Sequence, residues 1–232
     1  MIEVVQELAK SSAGSWIAFK GGTALKLFYD LPRYSEDIDY DALAGTSAFD
    51  LFEIIAHLFR KKKWEITDEA VKYHTLLFEL RFPGPERHFR IKIEISTREK
   101  KLSSAILLLR GVPVLALEPS FLMTEKLLTF IERGAGRDVF DAWFILNNAY
   151  PLNESMVKES MENWADFYRT ILTKIETADP KKIFRDTGKL LNADHRNWIR
   201  TSFIDDFKRL VRSKIEQLEQ GDEAGNVSLR GE

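Results

Sequence analysis

The chain has 232 residues, of which 44% are hydrophobic and 30% charged, a balance typical of folded globular proteins. It contains no cysteine, which excludes disulfide scaffolds, thiol nucleophiles and cysteine-ligated zinc or iron–sulfur sites. With 34 basic and 36 acidic side chains, the net charge of −2 does not by itself indicate a nucleic-acid partner. No apolar segment approaches the ~18 residues of a membrane helix, and the acidic N-terminal segment is unlike a signal peptide, so we predict a cytoplasmic protein without membrane contact.

Hydrophobic periodicity predicts a mixed α/β first half of the chain. Helical spacing predicts helices at residues 2–9, at 24–30 after the glycine pair Gly21-Gly22, and at 49–63. The last of these is amphipathic, with Phe49 on its apolar face. Alternating segments bounded by turn residues predict strands at 15–20, 36–40, 65–71, 74–82, 88–97 and 112–116. Residues 102–109 fit either type of element.

From Pro119 onward the pattern is helical. We predict helices at residues 120–133, 137–150, 153–177, 180–191 and 195–220. The predicted fold is therefore α+β, with an α/β domain at residues 1–117 and a helical domain at 118–232 packing on it. A cleft between two such domains is the expected ligand site, and helices 119–150 would complete it.

Asp37 and Asp39 stand two residues apart on a predicted strand, around Ile38. Side chains at positions i and i+2 of a strand point to the same face, so the two carboxylates project together. Because like charges held this close repel, a positive group between them is expected. A divalent metal meets that need, and ligands that are all oxygen favour Mg²⁺ or Mn²⁺.

A third carboxylate, Glu94, lies in the strand Arg90–Ser96. Ile91, Ile93 and Ile95 alternate onto one face of this strand, which leaves Lys92, Glu94 and Ser96 on the other. If the strand neighbours residues 36–40, Glu94 joins Asp37 and Asp39 in a cluster of three acids. Such a cluster can hold two metal ions about 4 Å apart and support in-line displacement at phosphorus.

The Gly21-Gly22-Thr23 segment between a strand and a helix is a candidate phosphate-binding turn. Glycine has no Cβ, so its backbone N–H group can approach a phosphate closely at the positive end of the following helix. Thr23 adds a hydroxyl group. Each of these patterns also has an ordinary structural explanation, since a Gly-Gly-Thr turn, an Asp-x-Asp pair and a strand glutamate all occur without any ligand. Their order and spacing together favour the functional interpretation.

The segment GGTALKLFYDLPRYSEDIDY, residues 21–40, resembles the signature of the DNA polymerase β-like nucleotidyltransferase superfamily. More narrowly, GGTAL followed by PRYSEDIDY is similar to the AbiEii-type nucleotidyltransferases, the toxins of abortive-infection operons. This resemblance implies a polymerase β-like mixed sheet flanked by helices and followed by a helical bundle. It also implies that Asp37, Asp39 and Glu94 hold Mg²⁺ while Gly21, Gly22 and Thr23 bind the phosphates of an NTP.

The resemblance continues in EKLLTFIERGAGRDVFDAWFIL, residues 125–146, which is similar to the downstream helix pair of the family. It implies that Lys126 contacts the nucleotide phosphates and that Asp138 belongs to the active site. Asp138 and Asp141 fall one turn apart on one helix, so an interhelical salt bridge with Lys126 or Arg137 is the alternative interpretation. Arg33 and Ser35 match the Arg-x-Ser element before the paired acids, and each could either bind nucleotide or brace the loop.

The function predicted from these residues is Mg²⁺-dependent transfer of a nucleotide from an NTP to a hydroxyl acceptor. The resemblance implies RNA, including tRNA, as the acceptor and a cognate antitoxin as a partner. Residues 60–101 carry 12 basic and 7 acidic side chains and could attract a polyanion, although a solvated helix end explains Arg60–Lys63 equally well. Two alternatives remain: a degenerate module that binds nucleotide or a partner without catalysis, and an enzyme that modifies a small molecule.

Overall fold

The computed structural model of the chain describes residues 1–84 and 86–228, with side-chain positions through residue 220. The chain forms two compact units, Met1–Leu122 and a second unit from Met123 onward. The boundary falls inside one helix, α4, which spans Pro119–Arg133. Among the described helices, none has both the length and the apolar character required to cross a membrane.

The first unit is built on a seven-stranded mixed sheet, in the order β3-β4-β5-β2-β1-β7-β6. Its strands are β1 (Ile17–Lys20), β2 (Asp37–Ala42), β3 (Glu65–Lys72), β4 (Thr75–Phe82), β5 (Phe89–Ser96), β6 (Ser104–Leu109) and β7 (Val112–Leu117). β2 is antiparallel to β1 but parallel to β5, and β1 is parallel to β7. Within the ambiguous segment 102–109, residues Ser104–Leu109 form a strand, which pairs along its length with β7. The predicted α+β class with a mixed sheet is confirmed.

Three helices accompany this sheet: α1 (Ile2–Lys10), α2 (Gly21–Tyr29) and α3 (Ala48–Lys61). α3 begins after Ser47, whose side chain accepts a hydrogen bond from the backbone N–H of Asp50 and so caps the helix. Its apolar face packs through Phe59 onto Phe78 of β4, with ring centroids 5.4 Å apart. The prediction that Phe49 faces the core is wrong, since this residue in the first turn of α3 is 68% exposed.

The second unit is helical. After α4 it contains α5 (Gly136–Asn147), α6 (Glu154–Ser160), α7 (Trp164–Glu176), α8 (Pro180–Thr187), α9 (Ala193–Thr201) and α10 (Phe203–Ser228). Its core contains large aromatic side chains, and Phe140 of α5 stacks on Phe203 of α10 with centroids 6.1 Å apart.

Two of the predicted long helices are each divided in the structure. The predicted helix at 153–177 breaks at Met161, whose backbone is extended, and α7 restarts where Asn163 accepts a hydrogen bond from the N–H of Asp166. The predicted helix at 195–220 breaks at Ser202, between α9 and α10. The spacing of apolar residues continues across both breaks, so periodicity alone does not reveal them. At the first break the sequence signal is Asn163, whose side chain caps α7.

Candidate active site

Three aspartates alternate along β2. Asp37, Asp39 and Asp41 share one face of the strand, while Ile38 and Tyr40 are buried on the opposite face. Burial raises the pKa of the Tyr40 phenol, so this residue stays neutral in the core. Alternation along the strand therefore places Asp41 on the face that was predicted for Asp37 and Asp39.

The strand pairing on which the three-acid cluster depends is present. β2 and β5 are parallel neighbours, with Asp39 in register with Glu94 and Asp37 in register with Lys92. Residues directly in register on adjacent strands point to the same face of a sheet. The fold therefore brings Asp37, Asp39 and Glu94 to one face from segments more than fifty residues apart in the sequence.

Lys92 supplies positive charge to this face. Its ammonium group lies 2.9 Å from Oε2 of Glu94, and that contact, together with the charges of Asp37 and Asp39, raises the pKa of Lys92 above its usual value although partial burial opposes the shift. Within the described part of the chain, no three His, Asp or Glu side chains are already grouped around a metal position. The donors nevertheless fit Mg²⁺ or Mn²⁺, because they are carboxylates on one face that already attracts a cation.

The glycine pair opens α2 rather than preceding it. Gly21 is the first residue of the helix and has a φ of +79°, a conformation that residues with a Cβ rarely adopt. A Cβ at this position would overlap the carboxylate of Asp39. The turn and the paired acids are thus in direct contact, and only glycine permits it.

The segment before β2 folds back against the same turn. A Cβ on Gly22 would lie 2.6 Å from Nη2 of Arg33 and 3.1 Å from Oγ of Ser35. Arg33 is 3% exposed and donates from Nη1 to the carbonyl oxygen of Tyr34, at 2.9 Å. Thr23 donates its hydroxyl hydrogen to the carbonyl oxygen of Asp37. All five predicted nucleotide-binding residues of this unit therefore surround the start of α2, where Thr23 also has a structural role.

Asp41 lies on the same face of β2 as Asp37 and Asp39, and it was not among the site residues predicted from the sequence. It is 1% exposed, and its two oxygens form ion pairs with the ammonium groups of Lys20 and Lys100, each at 2.8 Å. Lys20 is the last residue of β1, directly before the glycine pair, and Lys100 lies in the loop after β5. The buried carboxylate is thus paired with two ammonium groups, and these ion pairs hold the end of β1 and the loop after β5 against β2. The spacing Asp37-x-Asp39-x-Asp41 was the available signal.

The second unit holds a separate ionic cluster between α4 and α5. Lys126 lies 3.2 Å from Asp141 and 3.9 Å from Asp138, and both aspartates are fully buried. Arg133 completes the cluster, with Nε and Nη2 at 2.7 and 3.0 Å from the two oxygens of Asp138. The interhelical salt bridge expected as the alternative role of these residues is thus formed.

Half of the twelve cations in the basic segment 60–101 are paired with neighbouring acids. Six of its cations take part in ion pairs within the first unit: Arg60–Glu69, Lys62–Glu7, Arg81–Glu65, Arg90–Glu79, Lys92–Glu94 and Lys100–Asp41. The excess of basic residues counted along the sequence is therefore reduced at this surface.

Comparison with solved structures supports the same fold. The crystal structure of JHP933 from Helicobacter pylori superposes with a TM-score of 0.59 and 18% identity, covering 96% of this chain and 93% of that one. An antigenic nucleotidyltransferase-like protein from Paracoccidioides brasiliensis matches with a TM-score of 0.52 and 15% identity, covering 83% of this chain and 94% of that one. At these identities the likeness establishes the fold alone.

A family match is found at the level of sequence. The sequence profile described as "Nucleotidyl transferase AbiEii toxin, Type IV TA system" matches residues 3–223. This range includes the carboxylate face on β2 and β5, the glycine turn and the Lys126 cluster. No functionally curated protein matches the chain.

Proposed function

Because the chain belongs to the AbiEii nucleotidyltransferase toxin family, we propose that it transfers a nucleoside monophosphate from an NTP to a hydroxyl group of RNA, with tRNA as the expected acceptor. The observation that carries this proposal is the register of β2 and β5, which aligns Glu94 with Asp39 on the face that also bears Asp37. Three carboxylates that can hold divalent metal ions, next to a glycine turn, suit a triphosphate better than any neutral substrate.

Asp37, Asp39 and Glu94 are the proposed ligands of Mg²⁺ or Mn²⁺. When bound, the metal supplies positive charge that offsets the charge developing on the phosphates. Lys92 must release Glu94 before that carboxylate can serve as a ligand, since its ammonium group now lies 2.9 Å from it. In the free protein the carboxylate face thus holds one cation, the Lys92 ammonium group, and its carboxylates are placed to bind a divalent metal ion instead.

Gly21, Gly22 and Thr23 are the proposed contacts of the triphosphate on the first unit. The missing side chains at the glycines leave room for phosphate oxygens beside the carboxylate face. Arg33, buried beside Gly22, either contacts a phosphate or holds the turn in place, together with Ser35. Lys126 is the proposed phosphate contact of the second unit, with Asp138 and Asp141 holding its ammonium group.

In the proposed reaction the acceptor oxygen attacks the α-phosphorus of the NTP. The new oxygen–phosphorus bond forms as the bond to the β-phosphate oxygen breaks, and pyrophosphate leaves. The proton of the attacking hydroxyl passes to a carboxylate of the face. The residues contribute positioning and charge compensation, because this chemistry needs no covalent intermediate with the protein.

As a toxin of this family, the chain is expected to act in the cytoplasm under the control of a cognate antitoxin, in an abortive-infection-like pair. Modified RNA would arrest growth until the antitoxin restores control. An antitoxin gene next to the gene for this chain is the corresponding genetic expectation.

The test is transfer of label from each of the four α-³²P-labelled NTPs to total RNA in the presence of Mg²⁺. We expect label in RNA with the wild-type chain and none with Asp39→Asn. Glu36→Gln is the matched control, since Glu36 precedes β2 and is not one of the three assigned carboxylates. Label in protein or small molecules only would exclude RNA as the acceptor, and nucleotide binding without transfer would exclude catalysis. Full activity of Asp39→Asn would exclude the assigned carboxylates.

A further inference from the structure

A cavity of about 250 Å³ in the second unit is lined by positive charge. It forms where the ends of α4 and α7 meet the starts of α5 and α8, and its charged lining consists of Arg133, Lys174, Lys182 and Asp179. Three cations therefore face one carboxylate around a small volume. In a chain with a net charge of −2, such a local excess needs an explanation.

The single carboxylate in the lining, that of Asp179, caps a helix. Oδ1 of Asp179 accepts a hydrogen bond from the backbone N–H of Lys181, at 2.9 Å, and so caps α8. Arg133 is bound through Nε and Nη2 to Asp138. Lys174 and Lys182 have no ion pair or hydrogen bond through their ammonium groups to any residue that the structure describes. The cavity thus has two lysines whose charges are not compensated by the protein.

A larger cavity elsewhere shows that lysines around a cavity are not sufficient evidence. About 720 Å³ lies beside α1 and α3, with Lys10 and Lys62 in its lining. Both of those lysines form ion pairs with Glu7, which also lines that cavity. With Lys61 and Glu53 included, the larger cavity has three cations against two carboxylates, whereas the smaller one has three against one.

The size and floor of the cationic cavity restrict its ligand. Sites for whole small molecules usually measure about 300–1,000 Å³, so 250 Å³ suits a single phosphate with part of a sugar rather than an entire nucleotide. Phe130, Val139 and Ile183 are buried in its lining and offer apolar contact beneath the cations. Lysine ammonium groups bind phosphate as point charges without a required orientation, which suits a flexible strand.

We propose that this cavity binds a backbone phosphate of the acceptor RNA. The inference rests on the proposed function for its choice of RNA over other phosphates. Arg133 connects the cavity to the cluster below it, because it lines the cavity and also binds Asp138, which lies 3.9 Å from Lys126. A phosphate in the cavity would therefore share Arg133 with the residues that we assign to nucleotide binding.

The test measures binding of a fluorescently labelled 20-nucleotide single-stranded RNA to the full chain, without NTP or metal, over 50–300 mM salt. Lys174→Gln and Lys182→Gln should each raise the Kd about two- to fivefold, as expected for one exposed ionic contact. Each should also reduce the slope of log Kd against log salt by about 0.7. Lys181→Gln is the matched control, because Lys181 neighbours Lys182 but does not line the cavity. Melting temperatures should be unchanged in all three.

Two results would overturn the inference. One is an unchanged Kd and salt slope in the double variant Lys174→Gln/Lys182→Gln. The other is saturable binding of inorganic phosphate, followed by ³¹P NMR, that requires both lysines while RNA binding does not, which would assign the cavity to a free anion. Because no step of this experiment needs catalysis, a failure of nucleotide transfer leaves its result readable.

Discussion

Gly21 and Asp39 are in such close contact that a Cβ on the glycine would overlap the aspartate carboxylate. The helix that presents the phosphate-binding turn and the strand that carries the paired acids are therefore fixed against each other at a single residue. The contact couples the geometry of the two proposed subsites, because neither the turn nor the carboxylate can shift without the other.

We expect Gly21→Ala to lower nucleotide transfer by about a hundredfold, since displacement of a reacting group by about 1 Å has effects of this size. The substitution should also cost about 1–2 kcal/mol, because Gly21 has a positive φ. Gly45→Ala is a matched control. Gly45 has the same φ of +79° but nothing within 4 Å of its Cβ position, so Gly45→Ala should have the backbone cost of about 1–2 kcal/mol without the added overlap at Gly21, and should keep its activity. Equal activities of the two variants would contradict the coupling.

Asp41→Asn should destabilise the first unit by roughly 3 kcal/mol in urea unfolding. The substitution leaves Lys20 and Lys100 without the buried carboxylate that both contact, and breaking a buried ion pair on one side typically costs about 3–5 kcal/mol. We choose the lower end because both lysines keep part of their solvent contact. Asp68→Asn, at an exposed position of β3, should change the free energy of unfolding by less than about 0.5 kcal/mol. A similar value for Asp41→Asn would show that the ion pairs contribute little.

Lys126 has both a structural and a proposed functional role, and a double-mutant cycle separates them. Lys126→Met should cost about 3 kcal/mol, because the fully buried Asp141 loses an ammonium group that lies 3.2 Å away. Adding Asp141→Asn should recover more than 1 kcal/mol of that loss, since the two residues are in contact. Nucleotide transfer should remain absent in the double variant. Recovery of activity together with stability would make Lys126 purely structural.

Lys92→Met should raise the affinity of the protein for Mn²⁺, measured by electron paramagnetic resonance without nucleotide. In the free protein the Lys92 ammonium group competes for Glu94, and an exposed ion pair of this kind is worth up to about 1 kcal/mol. The expected gain is therefore about two- to fivefold. Lys72→Met, on the edge strand β3, should leave Mn²⁺ affinity unchanged. A weaker affinity in Lys92→Met would mean that Lys92 supports the metal site instead of competing with it.

Local patterns predicted much of the first unit. Alternation is a property of a single strand, so the placement of Asp37 with Asp39, and of Glu94 opposite the isoleucines of β5, follows from the sequence. The same rule includes Asp41 once the strand is extended, because the strand predicted at 36–40 ended one residue before it, whereas β2 continues to Ala42. In the second unit, periodicity located the helical segments but not the breaks at Met161 and Ser202, because a break changes capping without changing the spacing of apolar residues.

By itself the sequence determined which side chains share a strand face, where the glycine turn lies, and that no thiol is available for chemistry. The tertiary structure decided what those side chains meet. Strand order and register put Glu94 beside Asp39 and placed Lys20 and Lys100 on Asp41, and the packing of α4 and α5 added Arg133 as a partner of Asp138. Such pairings join segments that are distant along the chain. Bringing these segments together costs loop entropy, which is offset only when the whole core packs. No local window of residues therefore encodes the pairings.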